Sequence, residues 1–245
     1  QTHAFQHLLT ASPGPEVDAA HATTGPDTIL KFMFTSGSAG TPKAVTTTNR
    51  MLYANQQMIQ QCLPFLAQDP PILLDWLPWS HVFGSSHNLG IVMYNGGTLF
   101  IDDGRPTPEE FSKTLQNLRA VSPTLYLNVP MALAEIASAM DTDTELRGSF
   151  FRHCKAMMYA GASLGQEVWE HIEAHARAEL GRDIPIMTGL GMTEAGPACT
   201  FTGTALVQNG TVGLPMPGVE VKLVPTGNRT EARFKGPNLM PGYWR

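Results

Sequence analysis

Short apolar runs alternate with helix-like stretches from residue 29 to residue 189, and this alternation constrains the fold more than any other feature. Strands are predicted at 29–35, 72–77, 98–101, 124–129, 155–160 and 184–189. Helices are predicted at 50–66, 82–95 and 107–121, from Pro130 onward, and at 163–181. Apolar strands that alternate with helices are typical of parallel sheets buried on both faces. The sequence therefore predicts an α/β fold, with a mostly parallel sheet covered by helices on both faces.

Polar residues before three of these helices have the pattern of N-terminal caps. Thr48 or Asn49 precedes the first helix, and Thr107 precedes the third. Ser163 followed by Gln166 has the spacing of a capping box. A capping side chain pairs with a backbone N–H that the first helical turn leaves free, so these residues mark the predicted helix starts.

The two ends of the chain differ from the central α/β pattern. Residues 11–28 are rich in Pro, Gly, Ala and Thr, so we predict that 1–28 is a linker or surface loop. After about residue 200 the helical pattern stops, and 218–224 and 231–236 alternate as strands. We therefore expect an α/β core at 29–200 and the start of a small β subdomain at 201–245.

Composition excludes several classes of protein. The 245 residues have a net charge of −5 and no basic stripe, which argues against a nucleic-acid partner. No apolar run approaches the 18 or so residues of a membrane span, and 1–28 lacks an apolar signal core. The three cysteines form no CxxC pair, which favours free thiols in a reducing compartment. We expect a cytoplasmic protein; these features make no prediction about its oligomeric state.

Two histidines, His171 and His175, lie four residues apart on a predicted helix and could chelate a metal. The segment is HIEAH rather than HExxH, and the sequence offers no evident third ligand. A solvated helix face is therefore the prediction.

The loop from Thr35 to Lys43 has the composition of a phosphate-binding site and follows a predicted strand. Glycines let the backbone approach a ligand closely, while backbone N–H groups and hydroxyls can donate to phosphate oxygens. The segment is not a Walker loop, because Pro42 stands where that pattern requires glycine. From composition alone, an ordinary Ser/Gly turn is an equal alternative.

The segment TSGSAGTPK (35–43) closely resembles the TSGSTGTPK signature of the adenylate-forming superfamily of acyl-CoA synthetases, luciferases and peptide-synthetase adenylation domains. The resemblance implies a mobile loop over the β- and γ-phosphates of ATP. Ala39 replaces the usual Thr or Ser and removes one hydroxyl donor. The residues implied to bind phosphate are Thr35, Ser36, Gly37, Ser38, Gly40, Thr41 and Lys43.

Further segments resemble the motifs of this family, in the family's order. LPWSHVFG (77–84) is similar to its LPxxH segment, which assigns His81 to the pocket for the substrate carboxylate. The turn after the strand at 155–160 resembles the one that lies against adenine. That match implies nucleotide contacts from Gly161, Ala162 and Ser163.

GLGMTEAG (189–196) resembles the family's YGxTE motif. The match implies that Thr193 contacts the α-phosphate region and that Glu194 holds Mg²⁺, a cation that prefers carboxylate oxygens. Leu190 stands where many members have an aromatic residue over adenine. The remaining nucleotide contacts implied by this motif are Gly189, Gly191 and Met192.

GTVGLPMPGVEVKLV (210–224) and KGPNLMPGYWR (235–245) resemble the next two family motifs. In the family an aspartate that binds ribose, a hinge and a domain with a catalytic lysine follow, and none is present in this sequence. We therefore expect part of a longer enzyme, with little thioester formation by residues 1–245 alone.

The resemblance implies an AMP-forming acid–thiol ligase that uses ATP, Mg²⁺ and coenzyme A. The sequence between the motifs is most similar to that of feruloyl-CoA synthases, which implies ferulate or a related hydroxycinnamate as the acid. Two alternatives remain open at this point. The enzyme could activate another acid, such as a fatty, benzoic or amino acid, or the chain could be a non-catalytic nucleotide-binding module.

Overall fold

The structure is a computed structural model that describes residues 5–35, 41–105, 107–204 and 208–244. The α-helices in these ranges are α1 (Phe5–Leu9), α2 (Pro15–Ala22), α3 (Asn49–Cys62), α4 (Gly90–Asn95), α5 (Pro108–Ala120), α6 (Pro130–Met140), α7 (Thr144–His153) and α8 (Gln166–Leu180). The strands are β1 (Ile29–Thr35), β2 (Lys43–Thr48), β3 (Ile72–Asp75), β4 (Thr98–Ile101), β5 (Leu125–Asn128), β6 (Ala156–Tyr159), β7 (Ile186–Thr188), β8 (Thr200–Phe201), β9 (Leu214–Pro215), β10 (Glu220–Thr226) and β11 (Arg229–Lys235).

Parallel strands form the centre of the molecule. β5, β6 and β7 pair in that order, and β3 pairs in parallel with β4. The backbone N–H of Thr124 donates to the carbonyl of Ile72 at 2.9 Å, which joins the starts of β3 and β5. The α/β fold class predicted from the sequence is therefore confirmed.

Alternate residues of the central strands pack into two apolar cores, one on each face of the sheet. Tyr126, Met157 and Ile186 face a core formed with α5, α6, α7 and α8. Leu127 and Met158 face a second core, formed with α3 and α4. Burial on both faces is why these strands are continuous apolar runs, and it holds their carboxyl ends at one edge of the sheet.

Antiparallel pairs surround this centre. β1 and β2 form a hairpin, and β10 and β11 form another. The sequence predicted the second hairpin but missed β2, although its run of Val and Thr has high strand propensity. The hairpin brings Thr35 opposite Lys43, at the two ends of the predicted phosphate loop.

Several predicted boundaries are corrected by the structure. Residues 83–89 form a π-helical turn before α4, where a regular helix was expected. Helix α7 was not predicted; its N-cap residue is Asp143, whose carboxylate accepts from the backbone N–H of Leu146. The predicted capping box at Ser163 is wrong, because Gly165 is the N-cap residue of α8 and makes no side-chain cap.

The amino-terminal stretch also differs from a plain loop. Within 11–28, α2 forms with Pro15 in its first turn and Glu16 and Asp18 beside its amino end, where acidic groups are favourable. None of its residues is buried.

Candidate active site

A large pocket of about 580 Å³ lies at the carboxyl ends of β6 and β7. Ligands of open α/β sheets bind at this edge. Its walls are the segments 159–164, 188–191 and 209–212, together with Gln166. The sequence-predicted residues Gly161, Ala162, Ser163, Gly189, Leu190 and Gly191 all line this pocket.

Two glycines of the large pocket have backbone reasons for being glycine. Gly161 has φ of 89°, a left-handed conformation that favours a residue without Cβ. A Cβ at Gly189 would lie 2.2 Å from the carbonyl oxygen of Thr200, so any larger residue would displace the backbone. Backbone conformation at Gly161 and the close approach of Thr200 at Gly189 therefore require glycine at the ends of β6 and β7.

A small pocket of about 190 Å³ adjoins the large one. The two share Ala160, Gly161, Gly189, Leu190 and Gly191 as a common wall. The small pocket is further lined by the predicted residues His81, Met192 and Thr193. Sequence analysis did not identify His87, which also lines it.

His81 is an exposed residue whose ring is oriented by the backbone. The N–H of Phe83 donates to His81 Nδ1 at 3.1 Å. Because a backbone N–H can only donate, Nδ1 is the accepting nitrogen and Nε2 carries the proton of the neutral ring. His81 can therefore donate one hydrogen bond from Nε2 to an oxygen in the small pocket.

His87 is 3% exposed, and burial lowers the pKa of its imidazole to about 4. Its Nδ1 lies 2.9 Å from Oδ1 of Asn88, whose Nδ2 contacts Oδ2 of Asp75 at 2.9 Å. Burial raises the pKa of the Asp75 carboxyl to about 6. A polar residue inside a predicted apolar helix face was the signal that could have identified this chain of groups.

Buried amides fix the loop that carries Glu194. Asn55 on α3 donates to the carbonyl of Ala195 at 2.8 Å and accepts from the N–H of Ala198 at 2.9 Å. Asn238 donates to the backbone carbonyls of the same two residues, at 3.1 Å to Ala195 and 2.8 Å to Ala198. Both asparagines have 0% exposure, so they hold the short 3₁₀ turn Thr193–Ala195 from inside the molecule.

Lys43 and Glu194 lie on either side of one tyrosine. Tyr243 donates from its hydroxyl to Glu194 Oε1 at 2.7 Å, and the Lys43 ammonium lies 5.1 Å from the centre of the same ring. The hydrogen bond to the Glu194 carboxylate raises the pKa of Tyr243. Val45 bridges to Tyr243, so the segment around Tyr243 lies beside β2. The hairpin and the Glu194 loop therefore meet, although 150 residues separate Lys43 from Glu194 in the sequence.

The predicted phosphate-loop residues are only partly within the described ranges. Ser36, Gly37, Ser38 and Gly40 lie outside them, as does Ala39. Thr35 ends β1, and Thr41 precedes β2, with its side chain exposed.

The HIEAH segment forms a hydrogen-bonded link between helices. His171 Nε2 lies 2.6 Å from Oδ1 of Asp141, the C-cap residue of α6. Two ligands of one tetrahedral zinc ion would lie about 3.3 Å apart, given bonds of about 2.0 Å. The contact is therefore a direct hydrogen bond. The prediction of a solvated face is wrong for His175, which is 7% exposed and lies 3.0 Å from the carbonyl of Ala137.

Within the described ranges, no helix combines the length and the apolar character that crossing a membrane requires.

Comparison with known proteins relates this geometry to one family. The profile described as "AMP-binding enzyme" matches residues 3–244. The anthranilate–CoA ligase of Pseudomonas aeruginosa is 28% identical over 228 residues, which cover 87% of this chain and 40% of that protein. The peroxisomal long chain acyl-CoA synthetase 6 of Arabidopsis thaliana is 26% identical over 265 residues, covering 90% and 36%.

A solved structure gives the same relation. A malonyl-CoA ligase in a ternary product complex, with methylmalonyl-CoA and AMP bound, has a TM-score of 0.72 and 26% identity. The match covers 90% of this chain and 46% of that one. The chain thus spans less than half the length of each of these proteins.

Proposed function

Because the chain belongs to the AMP-binding enzyme family, we propose that it is part of an enzyme that activates a carboxylic acid with ATP and passes the acyl group to coenzyme A. The nucleotide would bind in the large pocket, with adenine against Gly161–Ser163. The acid would bind in the small pocket, with its carboxylate beside His81. The observation that carries this proposal is the common wall of the two pockets, which would bring a carboxylate and an α-phosphate together.

Two substitution steps make up the proposed reaction, and each forms one bond and breaks one. A carboxylate oxygen attacks the α-phosphorus of ATP, the bond to the β-phosphate breaks, and pyrophosphate leaves with both bonding electrons. The thiolate of coenzyme A then attacks the acyl carbon, and AMP leaves. In the first step catalysis consists mainly of positioning and charge neutralisation.

The charged residues have proposed roles in the first step. Lys43 would hold the departing pyrophosphate together with the loop from Thr35 to Thr41. Thr193, in the wall of the small pocket, would orient the carboxylate or the α-phosphate. His81 would donate from Nε2 to the substrate carboxylate.

Glu194 has the chemistry of a magnesium ligand. Its carboxylate is half-buried, and Oε1 accepts from Tyr243, while Oε2 has no hydrogen-bond partner among the described residues. A free carboxylate oxygen beside a phosphate site fits Mg²⁺, which takes one or two protein carboxylates in such sites. The cation would neutralise charge on the phosphates.

The acid in this proposal is ferulate or a related hydroxycinnamate. Supporting it are the similarity to feruloyl-CoA synthases between the motifs and the modest volume of the small pocket. Cavities for drug-sized ligands usually measure about 300–1,000 Å³. A cavity of about 190 Å³ therefore favours a compact acid over a long-chain one.

ATP–pyrophosphate exchange tests the proposal, because it reports the first step alone. We expect exchange that depends on the acid, fastest with ferulate or 4-coumarate among a panel that includes benzoate, palmitate and glycine. Lys43→Ala and Glu194→Gln should each lower the rate by about 100-fold. Lys222→Ala, at an exposed lysine on β10, is the matched control and should leave the rate unchanged.

Two other outcomes of the exchange assay would contradict parts of the proposal. Exchange only with a different acid would support the ligase and contradict the hydroxycinnamate. Binding of Mg·ATP without exchange for any acid would contradict the ligase and indicate a nucleotide-binding module.

A further inference from the structure

The side-chain amide of Asn88 has only one orientation compatible with its neighbours. Its Nδ2 lies 2.9 Å from Asp75 Oδ2 and 3.3 Å from the carbonyl oxygen of Leu127. A backbone carbonyl can only accept, so the atom that faces Leu127 is the NH₂ group. The carbonyl oxygen of the amide, Oδ1, is therefore the atom that faces His87.

This orientation fixes the proton on His87. Asn88 Oδ1 can only accept, so His87 Nδ1, 2.9 Å away, is the donor. In the neutral ring the other nitrogen, Nε2, then carries a bare lone pair. The buried chain from Asp75 through Asn88 thus sets the tautomer of His87, as a hydrogen bond on one ring nitrogen does generally.

The lone pair on His87 Nε2 has no hydrogen-bond partner among the residues that the structure describes. His87 is more than nine-tenths buried and lines the small pocket. The wall also contains the apolar side chains of Val82, Phe83 and Met158, and none of the donor side chains of the wall is bonded to Nε2 among the described residues. A ligand that supplies a donor to this acceptor gains a hydrogen bond in a largely apolar wall.

We propose that His87 Nε2 is a specificity-determining acceptor, which selects acids that carry a hydroxyl or N–H donor away from the carboxylate. The inference rests on the proposed function and names the substrate class of the same site. Both His81 and His87 line the small pocket. In this proposal His81 donates from Nε2 to the carboxylate of the acid, and His87 accepts from the hydroxyl or N–H group of the same acid.

The chemical class of the acid follows from the donor on His81, the acceptor on His87 and the volume of the small pocket. A compact acid with one hydroxyl or N–H group opposite the carboxylate fits, and a hydroxylated aromatic acid is one example. An acid with the same skeleton and no donor would leave Nε2 unpaired inside the pocket. Sites built to accept from a substrate hydroxyl reject the analogue that lacks it more strongly than apolar pockets reject an extra methylene.

Matched acids test the inference directly. The KM for the acid in ATP–pyrophosphate exchange is compared for 4-hydroxycinnamate, cinnamate and 4-methoxycinnamate. We expect 4-hydroxycinnamate to have a KM at least about tenfold lower than the other two. Calorimetric titration of the same acids in the presence of AMP provides a readout that needs no turnover.

Two substitutions at His87 distinguish loss of the acceptor at Nε2 from a loss of folding. In His87→Asn the amide NH₂ takes the place of Nδ1–H and keeps the hydrogen bond to Asn88, while no acceptor remains at the Nε2 position. The KM ratio between 4-hydroxycinnamate and cinnamate should then fall to about one. In His87→Gln the longer side chain can restore an oxygen acceptor, and part of the discrimination should return. His153→Asn, at an exposed histidine, is the control for handling and folding.

Each result decides the inference. Equal KM values for the three acids in the wild-type protein, or an unchanged ratio in a folded His87→Asn variant, would overturn it. Absence of exchange with any acid would overturn the proposed function, and the calorimetric comparison would then decide the role of His87. Binding of all three acids with equal affinity, or of none, would overturn that role as well.

Discussion

Individual polar residues determine how the charged groups of the site are arranged. Tyr243 lies between the Lys43 ammonium and the Glu194 carboxylate, and it contacts each through a different part of its side chain. Its hydroxyl directs one carboxylate oxygen, and its ring faces the cation. Neither contact was predicted from the sequence, because the family motif that contains Tyr243 indicated no role for its side chain.

Tyr243→Phe should separate these two contacts. The ring that faces Lys43 remains, but the hydrogen bond to Glu194 is lost, and such a bond to a charged group is worth about 1.5–3 kcal/mol. We expect the rate of ATP–pyrophosphate exchange to fall by roughly tenfold. Tyr243→Ala should reduce it further, since the ring is also lost.

The matched control for this prediction is Tyr53→Phe, at an exposed tyrosine of α3. Rates for both Tyr243 variants that equal the wild-type rate would contradict the positioning role.

His87 should make the folded state sensitive to acid. Its pKa is about 4 in the fold and near 6.5 when unfolded, so between these values the unfolded chain binds a proton that the folded chain does not. Stability is therefore full above pH 6.5 and is lost as the pH falls through 4. Lowering the pKa of His87 from 6.5 to about 4 corresponds to roughly 3 kcal/mol in the free energy of unfolding.

Asp75 acts in the opposite direction, because burial raises its pKa from 3.8 to about 6. Its contribution is greatest below pH 3.8 and is lost as the pH rises through 6. The His87 effect is therefore measured by difference, from urea unfolding of wild type and His87→Asn between pH 4 and 7. The variant should lose less stability in acid; parallel curves would refute the assignment.

At the scale of elements, α3 connects the hairpin to the Glu194 loop. Thr48 ends β2 and caps α3, accepting from the N–H of Met51, so the hairpin leads directly into this helix. Asn55 lies one helical turn after Met51 on the buried face. From there it reaches Ala195 and Ala198, 140 and 143 residues later in the chain.

Asn55→Ala should destabilise the protein and loosen the site. It leaves the buried N–H of Ala198 without its partner, at a cost of about 1–3 kcal/mol, whereas the carbonyl of Ala195 keeps its hydrogen bond from Asn238. We expect a loss of about 1–3 kcal/mol in the free energy of unfolding, measured in urea. Gln61→Ala, at an exposed residue of the same helix, should change it by less than about 0.5 kcal/mol. Equal losses of stability in the two variants would rule out the role of Asn55 in holding the Glu194 loop.

Local patterns predicted most of the elements, and long-range contacts account for the errors. The strands of the parallel sheets are apolar runs because both faces are buried, so composition alone identified them. Helix α7 escaped detection because Gly148 interrupts its pattern, and its burial depends on packing against α5 and α8. The turn at 83–89 is π-helical where buried Ser86, His87 and Asn88 follow one another, a feature that no periodicity predicts.

The residues of the site also fall into those that local motifs predicted and those that they missed. Family motifs identified the residues of the large pocket, because glycine turns and strand ends are local features. Asn238 and Tyr243 were missed because their partners lie 40 or more residues away in the sequence. His87 was missed because the apolar helix pattern around it gave no reason to expect a polar group in the pocket wall.

At the scale of the whole molecule, nucleotide binding should stabilise the fold. A ligand at about 100 times its Kd should raise the free energy of unfolding by about 2.7 kcal/mol. We expect AMP to raise the unfolding temperature of the wild type. It should not do so for Ala162→Trp, in which an exposed residue of the large pocket is replaced by a ring that fills the pocket.

Ala178→Trp, at an exposed position on α8, is the control and should respond to AMP as the wild type does. A full response of Ala162→Trp would mean that AMP binds somewhere else.

The central claim is that the two adjoining pockets hold the two halves of an acyl-adenylate. A crystal structure with a hydrolysis-resistant sulfamoyl analogue of hydroxycinnamoyl-adenylate measures this directly. We predict adenine against Gly161–Ser163, the linkage at Gly189–Gly191, and the ring in the small pocket between His81 and His87. Density for the analogue outside these pockets, or with the acyl part in the large pocket, would contradict the account.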